Sequence, residues 1–125
     1  MTRADLFEAL HSLLLTPRTT PRETPPTSAA LDACLALWDE LAAEGFDASG
    51  WFFTPGEVDE VELDLDAEGG FALYFYHNDG FAWGVARNSG ARHWIVRRTD
   101  GQTRKLTEDV CDTATVARLL RGARP

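Results

Sequence analysis

The chain has 125 residues, the length of one ordinary domain, and 44% of them are hydrophobic, enough for a core that needs neither metals nor disulfides. Its net charge of −8 argues against general nucleic-acid binding, which depends on neutralising phosphates. No apolar run approaches the roughly 20 residues that cross a bilayer, and the N-terminal stretch lacks a signal-peptide cleavage site. We therefore expect a single soluble, cytoplasmic domain spanning residues 1–125, with no membrane contact.

The charge is distributed unevenly along the chain. Residues 1–80 carry 16 acidic and 3 basic side chains, a net charge of −13, whereas residues 81–125 carry 4 acidic and 9 basic ones, a net charge of +5. Such an asymmetry can steer association with a charged partner. The alternative is that the charge serves solubility alone.

Two helices are predicted in the N-terminal third. Leucines at helical spacing predict the first at residues 3–15. An apolar stripe predicts the second at about 28–44, with Thr27 or Ser28 as its N-cap and Gly45 at its end. The stretch 16–27 between them contains four prolines and is predicted to be a connector.

Glycines close to every ten residues predict a β-meander. Three of them end the triplets Asn78-Asp79-Gly80, Asn88-Ser89-Gly90 and Thr99-Asp100-Gly101, and glycine suits the left-handed last position of a three-residue hairpin loop. Five strands are predicted near residues 58–66, 71–77, 81–87, 91–98 and 102–107, with a short helix at about 113–121. The fold class is therefore α+β, a five-stranded antiparallel β-meander with two N-terminal helices and one short C-terminal helix packed on it.

Three-residue loops also predict the strand register. They place His77 opposite Phe81, Trp83 opposite Ile95, and Leu65 beside Leu73. One face of the sheet then collects the core, which the second helix is expected to cover. The predicted core residues are Val61, Leu63, Leu65, Phe71, Leu73, Phe75, Phe81, Trp83, Val85 and Ile95.

The opposite face of the predicted sheet carries the candidate binding residues. It runs from acidic side chains through tyrosines and a trough of small residues to tryptophan and arginine, side chain types enriched at protein interfaces. Alternatively, the first or last helix covers the trough and Trp94 packs over Gly84 as part of the core. The predicted partner-binding residues are Glu60, Glu62, Asp64, Asp66, Tyr74, Tyr76, Trp94 and Arg98.

The sequence contains no recognisable motif for catalysis, metal binding or cofactor binding. It has no GxSxG elbow, no Cys/His signature and no phosphate-binding glycine motif. Alternate carboxylates of the acidic run 57–68 lie about 6.6 Å apart along a strand, too far to chelate one ion. Such a run can instead protect a sheet edge or attract a basic partner. We therefore predict no catalytic residues, no metal and no cofactor, and two free thiols at Cys34 and Cys111.

Two hypotheses about function follow. In size, acidity and lack of catalytic motifs the chain resembles many bacterial immunity proteins, which neutralise toxins; this implies a protein-binding inhibitor whose partner is another protein with a basic surface. The alternative is a small-ligand or enzymatic pocket between the curved sheet and its helices. That pocket would be lined by Tyr74, Tyr76, His77, Trp94 and Arg98. A domain that oligomerises through its edge strands is a third possibility.

Overall fold

The computed structural model describes residues 2–15, 24–48, 60–66, 68–77, 80–99 and 106–122. Its helices are α1 (Arg3–Leu15), α2 (Ser28–Ala43) and α3 (Thr113–Gly122). Its strands are β1 (Glu60–Leu65), β2 (Gly70–His77), β3 (Gly80–Arg87), β4 (Arg92–Thr99) and β5 (Leu106–Cys111). The strands form one antiparallel sheet in sequence order. The predicted α+β meander with two N-terminal helices and one C-terminal helix is confirmed.

Local hydrogen bonds explain where two helices begin. The hydroxyl of Thr27 accepts a hydrogen bond from the Ala30 N–H at 3.3 Å, which makes Thr27 the N-cap of α2, as predicted. The carboxylate of Asp112 accepts from the Thr115 N–H at 2.8 Å and caps α3 in the same way. Because Asp112 directly follows β5, the last strand runs straight into the last helix.

Helix α2 is the centre of the core. It packs against β2, β3 and β4, while α1 packs on α2 and α3 packs on both α2 and β4. The stripe of α2 that faces the sheet is buried, and Leu6 and Leu10 of α1 are fully buried against its other side. We call the side of the sheet that α2 covers the inner face, and the opposite side the outer face.

The strand register was predicted correctly at one hairpin. Between β3 and β4, the Arg87 N–H donates to the Ala91 carbonyl at 2.8 Å and Gly90 has φ +91°, as expected for a three-residue loop with a left-handed glycine. Trp83 consequently lies opposite Ile95, as predicted. The predicted range of β5, however, was wrong, because this strand covers Leu106–Cys111; residues 100–105 lie outside the described part of the chain.

The register between β2 and β3 differs from the prediction by one residue. His77 lies opposite Gly80, not Phe81, so only two residues separate the paired positions. A slip of one residue turns every side chain to the other face. Trp83, Val85 and Ile95 therefore lie on the outer face and not, as predicted, on the face that α2 covers; Val85 is nevertheless buried, whereas Trp83 and Ile95 are half-buried.

The register between β1 and β2 differs by two residues, with Leu65 opposite Phe71 and Leu63 opposite Leu73. An even shift preserves the faces, so the leucines stay on the inner side.

Packing explains why β3 presents small residues to the helix. Large side chains of β2, Phe71, Leu73 and Phe75, fill the inner face and are fully buried. The adjacent inner positions of β3 are Ala82, Gly84 and Ala86, which allow α2 to approach the sheet closely. A Cβ atom at Gly84 would lie 2.8 Å from Leu37 Cδ1 of α2 and 3.1 Å from Trp94 Cζ3. The predicted trough is therefore covered and Trp94 does pack over Gly84, but the covering helix is α2 and not the first or last one.

Candidate functional site

The register aligns one row of outer-face residues across all five strands. Each member lies directly opposite the next on the neighbouring strand, so their side chains are neighbours on one surface. The row begins with an acidic residue on β1, crosses two aromatic residues and ends with two aliphatic ones. We call it the outer row, and it consists of Glu62, Tyr74, Trp83, Ile95 and Val110.

Aromatic stacking organises the centre of the outer face. The rings of Tyr74 and Trp83 have their centroids 6.0 Å apart with 27° between their planes, and those of Tyr74 and Tyr76 lie 5.9 Å apart at 15°. The guanidinium carbon of Arg97 lies 5.4 Å from the Trp83 ring centroid, within the range of a cation–π contact. All four side chains are half-buried. Tyrosine, tryptophan and arginine are the residue types that most often dominate binding energy at protein interfaces.

The end of the outer face near β5 combines an ion pair with an exposed aliphatic side chain. Arg97 donates from Nε to the Glu108 carboxylate at 2.7 Å, which holds its guanidinium against Trp83. Val110, opposite Ile95, is 74% exposed. This end of the face is thus locally charge-balanced, with apolar surface in contact with solvent.

The acidic end on β1 divides into two parts. Asp66 pairs with Arg87, whose Nη1 also lies 2.9 Å from a carboxylate oxygen of Glu68, so these two acids share one cation. Glu62 is half-buried and Asp64 is exposed, and neither forms an ion pair with a described residue. The Asp64 carboxylate accepts a hydrogen bond from the adjacent Leu65 N–H at 2.8 Å. Within the described part of the chain, the negative charge of Glu62 and Asp64 is therefore not neutralised by an ion pair.

The electrostatic field of this charge reaches the aromatic centre. Partial burial raises the pKa of the Tyr74 hydroxyl, and the carboxylates of Asp64, Asp66 and Glu62 raise it further, whereas Arg97 lowers it. Tyr74 thus lies where the acidic and basic parts of the outer face meet.

The structure redistributes the predicted partner-binding residues. Glu62, Asp64, Asp66, Tyr74 and Tyr76 lie on the outer face, whereas Trp94 lies on the inner face and is only 2% exposed. The backbones of Glu60 and Arg98 are placed opposite Tyr76 and Gly80, but their side chains lie outside the described part of the chain.

Sequence reasoning missed four outer-face residues, namely Trp83, Ile95, Arg97 and Val110. Three of them lie on β3 and β4, where the one-residue slip exchanged the faces. Asn78-Asp79 was the available signal, because asparagine and aspartate also suit a two-residue hairpin loop.

The register also excludes the predicted small-ligand pocket as it was composed. Tyr74 and Tyr76 lie on the outer face and Trp94 on the inner face, so one cavity cannot be lined by all three. His77 and Arg98 of that set have side chains outside the described part.

A different cleft, of about 510 Å³, lies where α2, α3 and the β4–β5 pair meet. Glu40 of α2 crosses it, binding Arg92 Nη2 at 2.6 Å and accepting from the Thr113 hydroxyl at 3.2 Å. The indole Nε1 of Trp94 beside this cleft is buried and has no acceptor among the described residues. The Glu40 carboxylate in the cleft is therefore satisfied by Arg92 and Thr113.

Other chemistry finds little support in the described residues. No group of three or more His, Cys, Asp or Glu side chains among them could hold a metal ion. Burial raises the pKa of the Cys34 thiol to about 12, which disfavours the nucleophilic thiolate, and Cys111 is half-buried. No described helix is both long and apolar enough to cross a membrane.

Comparison with known proteins identifies no relative. No protein-family model, no curated protein and no solved structure matches the chain.

Proposed function

We propose that this chain is a protein-binding module of the inhibitor or immunity type, and that its outer face engages a partner protein with a basic surface. The observation that carries the proposal is the outer row, which joins Glu62 of β1 to a stacked aromatic centre and an exposed Val110 across one continuous surface. An aromatic and arginine centre with a charged rim is the composition found at protein interfaces.

The charged and the aromatic side chains of the outer face are proposed to have different roles in binding. Glu62 and Asp64 have no ion pair with a described residue, so they attract a cationic surface from a distance and accelerate encounter. Trp83 and Tyr74 present broad, rigid rings that a partner can cover and dehydrate. We therefore expect the carboxylates to govern the association rate and the aromatic rings to govern dissociation.

The first experiment is to immobilise the chain and capture its partner from an extract of the native host, with mass spectrometry to identify it. Three baits are compared: the wild type, Glu62→Ser with Asp64→Ser, and Glu8→Ser with Asp32→Ser. The last two lose the same charge, but Glu8 and Asp32 are exposed on α1 and α2, away from the outer face.

Association kinetics of the purified partner then test the proposal. The outer-face double variant is expected to associate about tenfold more slowly at low salt and to show a weaker salt dependence, because rim charges act mainly on the association rate. Trp83→Ala is expected to raise Kd about 30-fold or more, the effect of losing about 2 kcal/mol at a central residue. The proposal fails if the helix-side double variant slows association as much, or if Trp83→Ala leaves Kd unchanged.

A further inference from the structure

The alternation of hydrogen bonds across the sheet shows which backbone groups of β5 point outward. The bond from the Arg87 N–H to the Ala91 carbonyl marks one end of the β3–β4 ladder. Because alternate residues of an antiparallel strand bond to opposite neighbours, odd-numbered residues of β4 bond to β3 and even-numbered ones bond to β5. Trp94 and Val96 therefore bond to Cys111 and Asp109. It follows that Glu108 and Val110 direct their N–H and C=O groups away from the sheet.

This edge is open to solvent. Residues 107–110 are all exposed, and Val110 is 74% exposed. The opposite edge, β1, differs. The same alternation leaves Val61, Leu63 and Leu65 with outward backbone groups, but Val61 is fully buried and the Leu65 N–H is bonded to the Asp64 carboxylate. The β5 edge is thus the more exposed of the two edges of the sheet.

We propose that the β5 edge is a docking site for an extended strand of a partner protein, in which basic and apolar residues alternate. Main-chain hydrogen bonds to Glu108 and Val110 would hold the added strand, as in other cases of β-strand addition. The inference goes beyond the outer-face proposal and does not rest on it.

The side chains of β5 define the occupant. Val110 lies on the outer face and Asp109 on the inner side, so an added strand needs apolar residues on one side and cations on the other. An apolar residue opposite Val110 would extend the outer row onto a sixth strand. A lysine or arginine opposite Asp109 would pair with a carboxylate that makes no ion pair within the described chain.

A second copy of this chain fits the edge poorly. Antiparallel two-fold pairing of β5 with itself places Asp109 opposite Asp109 when centred on residue 109, Glu108 opposite Glu108 when centred on residue 108, and Glu108 opposite Asp112 when centred on residue 110. Like charges directly opposite one another destabilise a strand pair. Acidic residues on an edge strand thus oppose self-association while still admitting a basic strand.

The test uses isotope-labelled protein and two short synthetic peptides, one alternating lysine with valine and one alternating glutamate with valine. Binding is followed by NMR shifts and by hydrogen exchange of the Glu108 and Val110 amides. We expect the lysine peptide to slow exchange of both amides and to bind about tenfold or more tightly than the glutamate peptide, a difference of at least about 1.4 kcal/mol. If neither amide is protected, or both peptides bind equally, the proposal is wrong.

Two variants distinguish the contribution of the Val110 backbone N–H to peptide binding from that of its side chain. Val110→Pro removes the outward N–H without removing a ladder bond to β4, whereas Val110→Thr keeps it. With the fold verified by the remaining amide shifts, peptide binding should be lost in Val110→Pro and fall less than threefold in Val110→Thr.

Equal peptide binding by the two variants would overturn the proposal. So would a wild-type dimer, seen by sedimentation, that the Val110→Pro substitution dissociates, because the occupant of the edge would then be a second copy of the chain. The peptide assays measure the β5 backbone and leave Glu62, Asp64 and the aromatic rings of the outer face unchanged, so they can fail while partner binding through Trp83 holds.

Discussion

The two faces of the sheet are built by the same strands but have different physical characters. On the inner face, large side chains of β2 lie beside small ones of β3, and α2 packs into the resulting trough. On the outer face the pattern on β3 reverses, because Trp83 and Val85 point outward. On this outer face, Val85 and Ala72 are buried, whereas Tyr74 and Trp83 are half-buried. The residues of the inner face thus leave space for α2, whereas those of the outer face stack on one another and carry charge.

The largest expected effect is a difference in stability between substitutions at two adjacent residues of β2. Phe75 points inward, is fully buried and lies 6.1 Å from the Trp94 ring, whereas Tyr74 points outward and is half-buried. Phe75→Ala is expected to lower the free energy of unfolding by about 3–5 kcal/mol, the cost of removing a large core ring. Tyr74→Ala is expected to cost about 1–2 kcal/mol, because the lost aromatic contacts contribute about 0.5–1.5 kcal/mol each.

Urea unfolding of the two variants measures this difference directly, with the wild type as reference. Equal costs would contradict the distinction between the faces, since the outer face would then be as important for stability as the core.

A smaller effect is expected where the helix meets the sheet. Gly84→Ala introduces a Cβ atom at 2.8 Å from Leu37 Cδ1 and 3.1 Å from Trp94 Cζ3, so α2 or the tryptophan must move. We expect a loss of about 1–3 kcal/mol in the free energy of unfolding, the usual cost of overpacking a core.

A double-mutant cycle with Leu37→Ala checks the cause. Removing Cδ1 should relieve the clash, giving a favourable coupling of about 0.5–3 kcal/mol between the two substitutions. Strictly additive losses would show that the new methyl group is accommodated without contact with Leu37.

Much of the fold could be predicted from the sequence because its signals are local. Leucine spacing and Thr27 located α1 and α2, and Gly90 located the β3–β4 loop, each through the conformation of a few neighbouring residues. The β2–β3 register could not be predicted in this way. Asn78-Asp79-Gly80 suits both a two-residue and a three-residue loop, and the choice depends on how closely α2 approaches Gly84, a contact between distant segments.

The error in the predicted β2–β3 register also affected part of the predicted binding site. The acidic residues and tyrosines of β1 and β2 were placed on the correct face, because an even shift of register preserves the face. On the third and fourth strands, Trp94 and Arg98 were predicted at outer positions, but the structure places Trp83 and Arg97 there. The accessible edge at β5 could not be predicted from the sequence either, because the strand ends at Cys111, four residues later than predicted.

The smallest expected effect concerns the electrostatic field of the outer face. Burial and the carboxylates of Asp64, Asp66 and Glu62 raise the pKa of Tyr74, and Arg97 lowers it. In a Tyr76→Phe background Tyr74 is the only tyrosine, so its tyrosinate absorbance can be titrated alone. Glu62→Gln with Asp64→Asn should lower this pKa and Arg97→Gln should raise it, whereas Glu8→Gln with Asp32→Asn on the helices should leave it unchanged.

The sign of the linked stability follows from the direction of this shift. Because the pKa of Tyr74 is higher in the folded state than its ordinary value of about 10, the stabilisation is fully present below that pH and is lost as the pH rises through the folded value. Unfolding by urea at increasing alkaline pH should therefore show a loss of stability that is smaller in the double variant at Glu62 and Asp64. If the helix-side control shifts the Tyr74 titration equally, net charge explains the effect and the outer face has no local field of its own.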